Sequence, residues 1–256
     1  MMNLPRYQTG FGAWKFVLYP ITLLPAVLTL LASVSIAGEV PIPLQYSERP
    51  PYVMRASDGS VGGIAATSAI HAFQKAGIPY ALRFMSAKHQ IVNLQANEEP
   101  ICAMAWYKTA EREAFAKFTK PVSQDSATIV LTNIAFQTPP NATVESLLAN
   151  PATRIVLKNS VVYGPYVETK LSAAKAHLIR TYDEYETIIR VIRNGRADLT
   201  FATLEEADYY ARYLGYPITS FNVIRFADAP PGENRYIMCS KKVPDAIIER
   251  LNAALP

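Results

Sequence analysis

Residues Trp106-Tyr107-Lys108-Thr109-Ala110-Glu111-Arg112 concentrate the chemistry of small-molecule recognition into one short run. They follow Ile101-Cys102-Ala103-Met104-Ala105, an apolar stretch that predicts a buried strand. The aromatic pair offers flat apolar faces. Thr109 can cap a helix whose free backbone N–H groups attract anions. Arg112, in that helix's first turn, supplies a planar fork matched to a carboxylate. Taken alone, Arg112 beside Glu111 and Glu113 reads equally well as a solvated helix residue. Other chemistries find no support. His71, His89 and His177 are far apart and lack metal-ligand spacing, so no metal or cofactor is expected. There is no Gly-x-Ser-x-Gly elbow, no His-Glu-x-x-His and no phosphate-binding glycine loop.

The elements that must position this run begin after a chemically different leader. Arg6 and Lys15 are the only charged residues before Glu39, and Phe16 to Ala37 is almost wholly apolar. The stretch ends in small residues, with Ser35 and Ala37 suited to signal-peptidase cleavage after Ala37. An uncleaved anchor is the alternative, since about 20 apolar residues suffice to span a bilayer. Pro20 and Pro25 interrupt the run, which favours a cleaved secretory signal. No Cys lies near the site to take a lipid anchor. The leader carries two of the 25 basic residues, so the mature chain has 23 basic against 21 acidic side chains. That balance, with no basic cluster larger than Lys241-Lys242, argues against nucleic acid as a partner. Cys102 and Cys239 are the only cysteines, enough for one disulfide in an exported protein but too few for a stapled mini-domain.

Past the leader, strand and helix signals alternate. Val40 to Tyr46 predicts a strand, and a helix from Gly63 carries Ala66, Ile70 and Phe73 on one stripe, with Gly77 at its end. Tyr80 to Phe84 predicts a strand, Ser86 caps a short helix with Ile91 and Leu94, and Ile101 to Ala105 is the next strand. A single long strand, Ser126 to Thr132, precedes Pro139-Pro140. The alternation then restarts: strand Arg154–Leu157, helix Pro165–Ala174, strand Leu178–Arg180, and a helix from Tyr185 behind a Thr181-x-x-Glu184 capping box. Strand Asp198–Ala202, helix Leu204–Leu214, strands Phe221–Phe226 and Arg235–Ser240, and a last helix with Ile248 and Leu251 complete the chain. Two β-α-β-α-β sets describe two similar lobes. A final strand and helix that return to the first lobe would leave a cleft between them, facing the C-terminal strand ends where ligands bind.

In order and residues the chain resembles the type II periplasmic solute-binding proteins, specifically the bacterial extracellular solute-binding family 3 of the polar amino acid type. Arg49-Pro50-Pro51-Tyr52 with Asp58-Gly59 and Gly62-Gly63 is similar to the family's aromatic-Pro-Phe, turn and glycine run. Thr109-Ala110-Glu111-Arg112 with Phe118-Thr119-Lys120-Pro121 resembles its Thr-x-x-Arg and Phe-Ser-x-Pro-Tyr signature. Asn194 to Asp198 resembles its Gly-Arg-x-Asp, and Lys241 to Asn252 its final strand-to-helix segment. The resemblance implies an α/β fold of two lobes, each a mostly parallel sheet flanked by helices. It implies residues 1–37 as signal peptide, 38–130 as lobe 1, 131–228 as lobe 2, and 229–256 returning to lobe 1.

By the same resemblance Arg112 clamps a ligand carboxylate and Thr109 precedes it. Ala105 and Tyr107 make contacts around Trp106, and Tyr52 lies opposite these aromatics across the cleft. The family's stacking aromatic falls on Arg49. The second lobe's helix-start contacts fall on Asn159, Ser160 and Val161. The aspartate that pairs with an α-ammonium group falls on Thr203, which is uncharged, so the ligand implied is a small carboxylate rather than an ordinary zwitterionic amino acid. Glu205 or Glu206 could substitute, although both read most simply as solvated. The family topology also brings the Cys239 strand beside Cys102, where a disulfide or two buried thiols would fit. The implied function is capture of the solute by hinge closure, as a periplasmic monomer that delivers it to a membrane ABC permease. Alternatives are an enzyme on the same scaffold, resembling periplasmic cyclohexadienyl dehydratase, or a ligand sensor without a transporter. The enzyme would need a cleft acid or base, and none falls on the matched positions.

Overall fold

The computed structural model describes residues 40–256 except 139, 140, 160, 227 and 228, and in the leader only Gly10, Gly12 and Lys15. The expected signal peptide, its cleavage after Ala37, and Ser160 lie outside the described residues. Among the described residues no helix is long and apolar enough to cross a membrane.

Strand β1 (Ile42–Tyr46) is buried at every position. A loop bearing the small hairpin β2 (Met54–Arg55) and β3 (Val61–Gly62) leads to helix α1 (Ile64–Lys75). The buried face of α1 is Ala65, Ala66, Ala69, Ala72 and Phe73, a helical stripe whose small residues let the helix lie close on the sheet. No side chain caps α1. Instead the carbonyls of Pro51 and Tyr52 accept from the N–H groups of Ile64, Ala65 and Ala66. Gly63 permits this approach: its φ is +112°, and a Cβ there would lie 2.6 Å from the Tyr52 carbonyl oxygen. The loop that carries Arg49 and Tyr52 is thereby fastened to the start of α1.

Next come β4 (Tyr80–Phe84), α2 (Ala87–Ala96), β5 (Cys102–Tyr107), α3 (Ala110–Phe115) and β6 (Ala116–Gln124). Ser86 caps α2 by accepting from the His89 N–H. The chain then builds β7 (Ile129–Asn133), α4 (Val144–Ala149), β8 (Arg154–Lys158), α5 (Pro165–Leu171), β9 (His177–Thr181), α6 (Tyr185–Arg193), β10 (Leu199–Ala202), α7 (Leu204–Tyr213) and β11 (Phe221–Arg225). It finishes with β12 (Asn234–Ser240) and α8 (Asp245–Ala254).

Two five-stranded sheets result, β4-β1-β5-β12-β6 and β11-β7-β10-β8-β9. In the first, β1 runs parallel to β4 and β5, and β12 is antiparallel to both β5 and β6. In the second, β8 is parallel to β9 and β10, and β7 is antiparallel to both β10 and β11. Each sheet therefore has one reversed strand, and in each it is the strand by which the chain arrives from the other sheet. A crossing that leaves the C-terminal end of one strand and enters the neighbouring sheet from the same side has to run backwards. Both crossings thus mark the carboxyl ends of the parallel strands, the side where ligands bind in such sheets. Helices cover the second sheet with two apolar clusters, one around Ile188, Ile189 and Phe221 and one around Leu148, Leu157 and Phe201. The first sheet likewise packs one face around Leu44 and Phe73 and the other around Leu94 and Met238.

The structure corrects several expectations. The strand expected at Ser126–Thr132 is β7, which begins only at Ile129, and it is preceded by an unexpected strand, β6, with a crossing between them. Strand β6 lies at a sheet edge, which tolerates Pro121, and its irregular burial hides the alternation that would have revealed it. The Thr181–Glu184 capping box does not form. The Thr181 hydroxyl bonds Asp183 instead, and α6 starts after Glu184 without a side-chain cap. A reciprocal box forms at Thr203 and Glu206. Helix α5 stops at Leu171, short of the expected Ala174. The Asn194–Asp198 run is a brace. The Asp198 carboxylate accepts from the backbone N–H of Arg154 at 2.7 Å and from its guanidinium at 2.6 Å, while Arg154 also donates to the Gly195 carbonyl. Burial alone would raise the Asp198 carboxyl, but these hydrogen bonds and the Arg154 charge hold it below its ordinary value.

Cys102 and Cys239 are register partners on β5 and β12, with Cα atoms 4.0 Å apart, and they are joined in a disulfide. The bond closes a loop across a sequence separation of 137. In the chain-entropy limit its loss costs about 4–5 kcal/mol. Urea denaturation of the Cys102→Ala/Cys239→Ala double variant is expected to show a fall of that order. Dithiothreitol should lower the wild-type melting temperature and leave the variant's unchanged. The acid limb offers a second check. Because the folded Asp198 carboxyl is depressed, its contribution is complete above the unfolded value of about 3.9 and vanishes as pH falls through the folded value. The stability gap between wild type and Asp198→Asn should be constant above about pH 5 and shrink below about pH 4, as read by urea midpoints across that range.

Candidate ligand-binding site

At the base of the site lies a buried ion pair. Arg235 opens β12 and Asp125 follows β6, so each stands where the chain crosses between sheets. Both side chains are 2% exposed. The Arg235 guanidinium donates from Nε to Asp125 Oδ1 and from Nη2 to Oδ2, both at 2.7 Å. Nη2 also donates to the Tyr107 hydroxyl at 2.9 Å, and Nη1 to the Ala105 carbonyl at 3.2 Å. The Tyr52 and Tyr107 ring centroids lie 3.6 and 4.5 Å from the guanidinium Cζ. Burial pushes the Asp125 carboxyl upward, opposed by the Arg235 charge and by hydrogen bonds from Arg235 and Tyr107. Burial likewise raises the Tyr107 hydroxyl, keeping it a donor to Asp125 Oδ2 at 2.6 Å.

The Trp106–Arg112 run projects beside this pair. Thr109 is the N-cap of α3, accepting from the Arg112 N–H. Arg112 lies 4.7 Å over the Trp106 ring and donates from Nη1 to the Tyr107 carbonyl at 2.7 Å. Lys108 takes Glu113 as its partner, and among the described residues no carboxylate pairs with Arg112. Partial burial lowers its guanidinium from the ordinary value, with Glu111 opposing, as suits a cation short of an anion. The half-buried Trp106 is oriented by its indole N–H, which donates to Gln90 at 2.8 Å. Gln90 is itself buried and tied to the Met85 carbonyl. Ala105 has φ of +65°, a left-handed conformation that costs a non-glycine residue about 1–2 kcal/mol. That turn sits opposite the register shift in β12 and aims the Ala105 carbonyl at Arg235.

Across the cleft stands the start of α7. Arg49 reaches Glu206 with Nε at 3.2 Å and Nη2 at 3.0 Å, and the Tyr52 hydroxyl lies 2.6 Å from that of Thr203. Thr203 and Glu206 cap each other. Glu205 accepts from the backbone and hydroxyl of Ser126 on the first crossing. Neither glutamate is the solvated residue expected: Glu206 is 2% exposed and Glu205 is half-buried. Glu206 is held by Arg49 and by its capping contact with Thr203, and Glu205 by Ser126. Asn159 and Val161 precede α5 by a loop and are not at a helix start, since α5 begins at Pro165.

Two adjoining cavities occupy the cleft. One, of about 130 Å³, is lined by Arg49, Arg112 and Arg235 with Ala105, Trp106 and Tyr107, and by no acidic side chain. The other is lined by Arg49, Thr203 and three carboxylates, Asp125, Glu206 and Glu233. Of the residues expected at the site, Ala105, Trp106, Tyr107 and Arg112 line the first and Thr203 the second. Thr109 acts through the backbone of α3. Tyr52 lines neither cavity; it is 1% exposed behind Arg235, because its ring is the guanidinium's stacking surface. Sequence reasoning missed Asp125, Arg235 and Gln90 and saw Arg49 only as a departure from pattern. An Arg at the head of an apolar strand was a signal that a buried anion is needed, but nothing in the sequence pointed to Asp125 as that anion. Acidic side chains are therefore present in the cleft, at positions other than the matched ones, and Asp125 and Glu206 are held in ion pairs.

Two α/β lobes joined by two crossings, with a charged and aromatic cleft at their strand ends, define a type II periplasmic binding protein. The sequence pattern of the bacterial extracellular solute-binding proteins, family 3, matches residues 45–254, and the chain belongs to that family. The arginine-, lysine-, histidine-binding protein ArtJ from Geobacillus stearothermophilus shares the fold at 15% identity, covering 84% of this chain and 87% of that one with a TM-score of 0.64. The ancestral amino acid-binding protein AncCDT-1, a precursor of cyclohexadienyl dehydratase, is similar at 15% identity, 83% and 87% coverage and a TM-score of 0.61. The VFT2 domain of Bordetella pertussis BvgS, as a double mutant, matches at 19% identity, 83% and 85% coverage and a TM-score of 0.59. No curated protein sequence matches the chain significantly.

Removing one partner of the buried pair leaves an uncompensated charge, at a cost of about 3–5 kcal/mol. Asp125→Ala is expected to lose that much in urea denaturation. Asp125→Leu/Arg235→Met, which removes both charges, should lose less than Asp125→Ala does.

Proposed function

We propose that this protein is a periplasmic receptor that captures a small, amino-acid-like carboxylate between its lobes and delivers it to a membrane ABC permease. The leader, read as a cleaved signal peptide, would carry it there. The observation that supports the ligand class is the state of Arg112. Its guanidinium has a fixed orientation, stacked on Trp106 and held by the Tyr107 carbonyl, and it faces a cavity lined by arginines and aromatics with no acidic side chain. A carboxylate entering there would form a charge-assisted pair with Arg112, shielded from water on one side by the indole. Mobility about the two crossings would let the lobes close over it.

Binding rather than catalysis is favoured because Asp125 and Glu206 are already committed as ion-pair acceptors, and Glu233 lines only the cavity that Arg112 does not. Thermal-shift screening of the chain from Gly38 onward against small carboxylates and amino acids is expected to yield a ligand that raises the melting temperature. Its concentration should stay constant over hours, whereas an enzyme would consume it. Arg112→Ala should weaken that ligand at least about tenfold, or about 1.4 kcal/mol, with an unchanged far-ultraviolet circular dichroism spectrum. Unaltered affinity would remove Arg112 from the site.

A further inference from the structure

Arg49 stands between the two cavities and lines both. On one side of it are Arg112 and Arg235; on the other are Asp125, Glu206 and Glu233, the last packed beside Gly164. The charges of the cleft reduce to two closed pairs and a remainder. Arg235 is closed by Asp125, and Arg49 by Glu206. Among the described residues Arg112 is left over on the arginine side and Glu233 on the other, where it lines only the cavity that Arg112 does not. The two members of the second pair differ in freedom. Glu206 is held on α7 by its capping contact with Thr203 and is buried. Arg49 is a long side chain on a loop, 28% exposed, and reaches across the cleft to it.

We propose that Arg49 determines specificity: its guanidinium serves as a tethered counter-cation for Glu206, so the cleft selects an organic anion that carries no ammonium group. The inference rests on the carboxylate reading above. An amine that approached Glu206 would have to displace a guanidinium attached to the same chain, whose effective concentration is in the millimolar range or above. The displaced Arg49 would then be driven toward Arg112 and Arg235, a cluster of like charges. A carboxylate beside Arg112 meets neither obstacle, because it gains a second cation in Arg49 without opening the Arg49–Glu206 pair. Discrimination here comes from what the wrong ligand must break as well as from what the right one gains.

The test uses matched ligands: L-leucine against 4-methylpentanoate, L-phenylalanine against 3-phenylpropanoate, and L-glutamate against glutarate. Each is titrated calorimetrically into wild type, Arg49→Gln, Glu206→Gln and the double variant. In wild type the des-amino carboxylate of any pair that binds should be the tighter member. Arg49→Gln, which keeps a hydrogen bond to Glu206 but no charge, should shift the ratio toward the amino acid by at least about tenfold. The double variant should lose that shift, since the freed anion is gone. Glu206→Gln alone leaves Arg49 unpaired and should tighten the carboxylate, a check that stands even if Arg49→Gln does not fold. Tighter wild-type binding of the amino acid, or ratios indifferent to Arg49 and Glu206, overturns the assignment of Arg49 while leaving carboxylate capture intact. Failure of every carboxylate to bind any of the four proteins overturns the carboxylate reading and this inference together.

Discussion

The cleft is organised by the Arg235–Asp125 ion pair. Burying two charges is costly, and the cost is offset only where geometry is good and the remaining donors are satisfied. Here four hydrogen bonds leave the guanidinium, and two tyrosine rings lie against it. Satisfying one arginine therefore fixes many other groups. Tyr52 must lie against it, which places the Tyr52 hydroxyl against Thr203. Tyr107 must point at Asp125, which sets the direction of the chain into Thr109 and α3. Ala105 must turn its carbonyl inward, and its left-handed backbone is the local cost of that turn. The pair also joins the two crossings, so the floor of the cleft and the connection between the lobes are one structure.

Much of the fold was legible because it rests on local signals. The alanine stripe and the Gly63 and Gly77 boundaries of α1, the Ser86 cap and the apolar runs of β1, β5 and β10 are each consequences of a few neighbouring residues. What escaped is what depends on the opposite side of a sheet. Strand β6 has Pro121 and no clean alternation, and it is a strand because β12 pairs with it along its length. The Thr181-x-x-Glu184 box had the right spacing but lost its threonine to Asp183, a competing local bond that spacing alone does not reveal.

The site divides along the same line. The Trp106–Arg112 run was visible because its parts are contiguous and their chemistry is shared. Asp125 with Arg235, and Arg49 with Glu206, lie 110 and 157 residues apart. Neither partner of either pair is distinctive without the other. The pairs also change the meaning of the motifs around them. Thr203, read as a missing charge, caps the helix that carries Glu206. Its lack of a carboxylate is therefore not a lack of negative charge nearby.

The return of β12 to the first sheet has a consequence for the order in which the protein is completed. Strand β12 lies between β5 and β6, and neither of those strands pairs with the other directly. Every residue of the second lobe is threaded between the two halves of the first. A chain emerging from its N-terminus can finish the second lobe once β11 is available. Its first lobe stays split until residues 234–240 arrive, with β5 and β6 waiting as open edges and Cys102 without its partner. The lobe begun first is the one finished last, and the final 23 residues, Asn234–Pro256, act as its closing key.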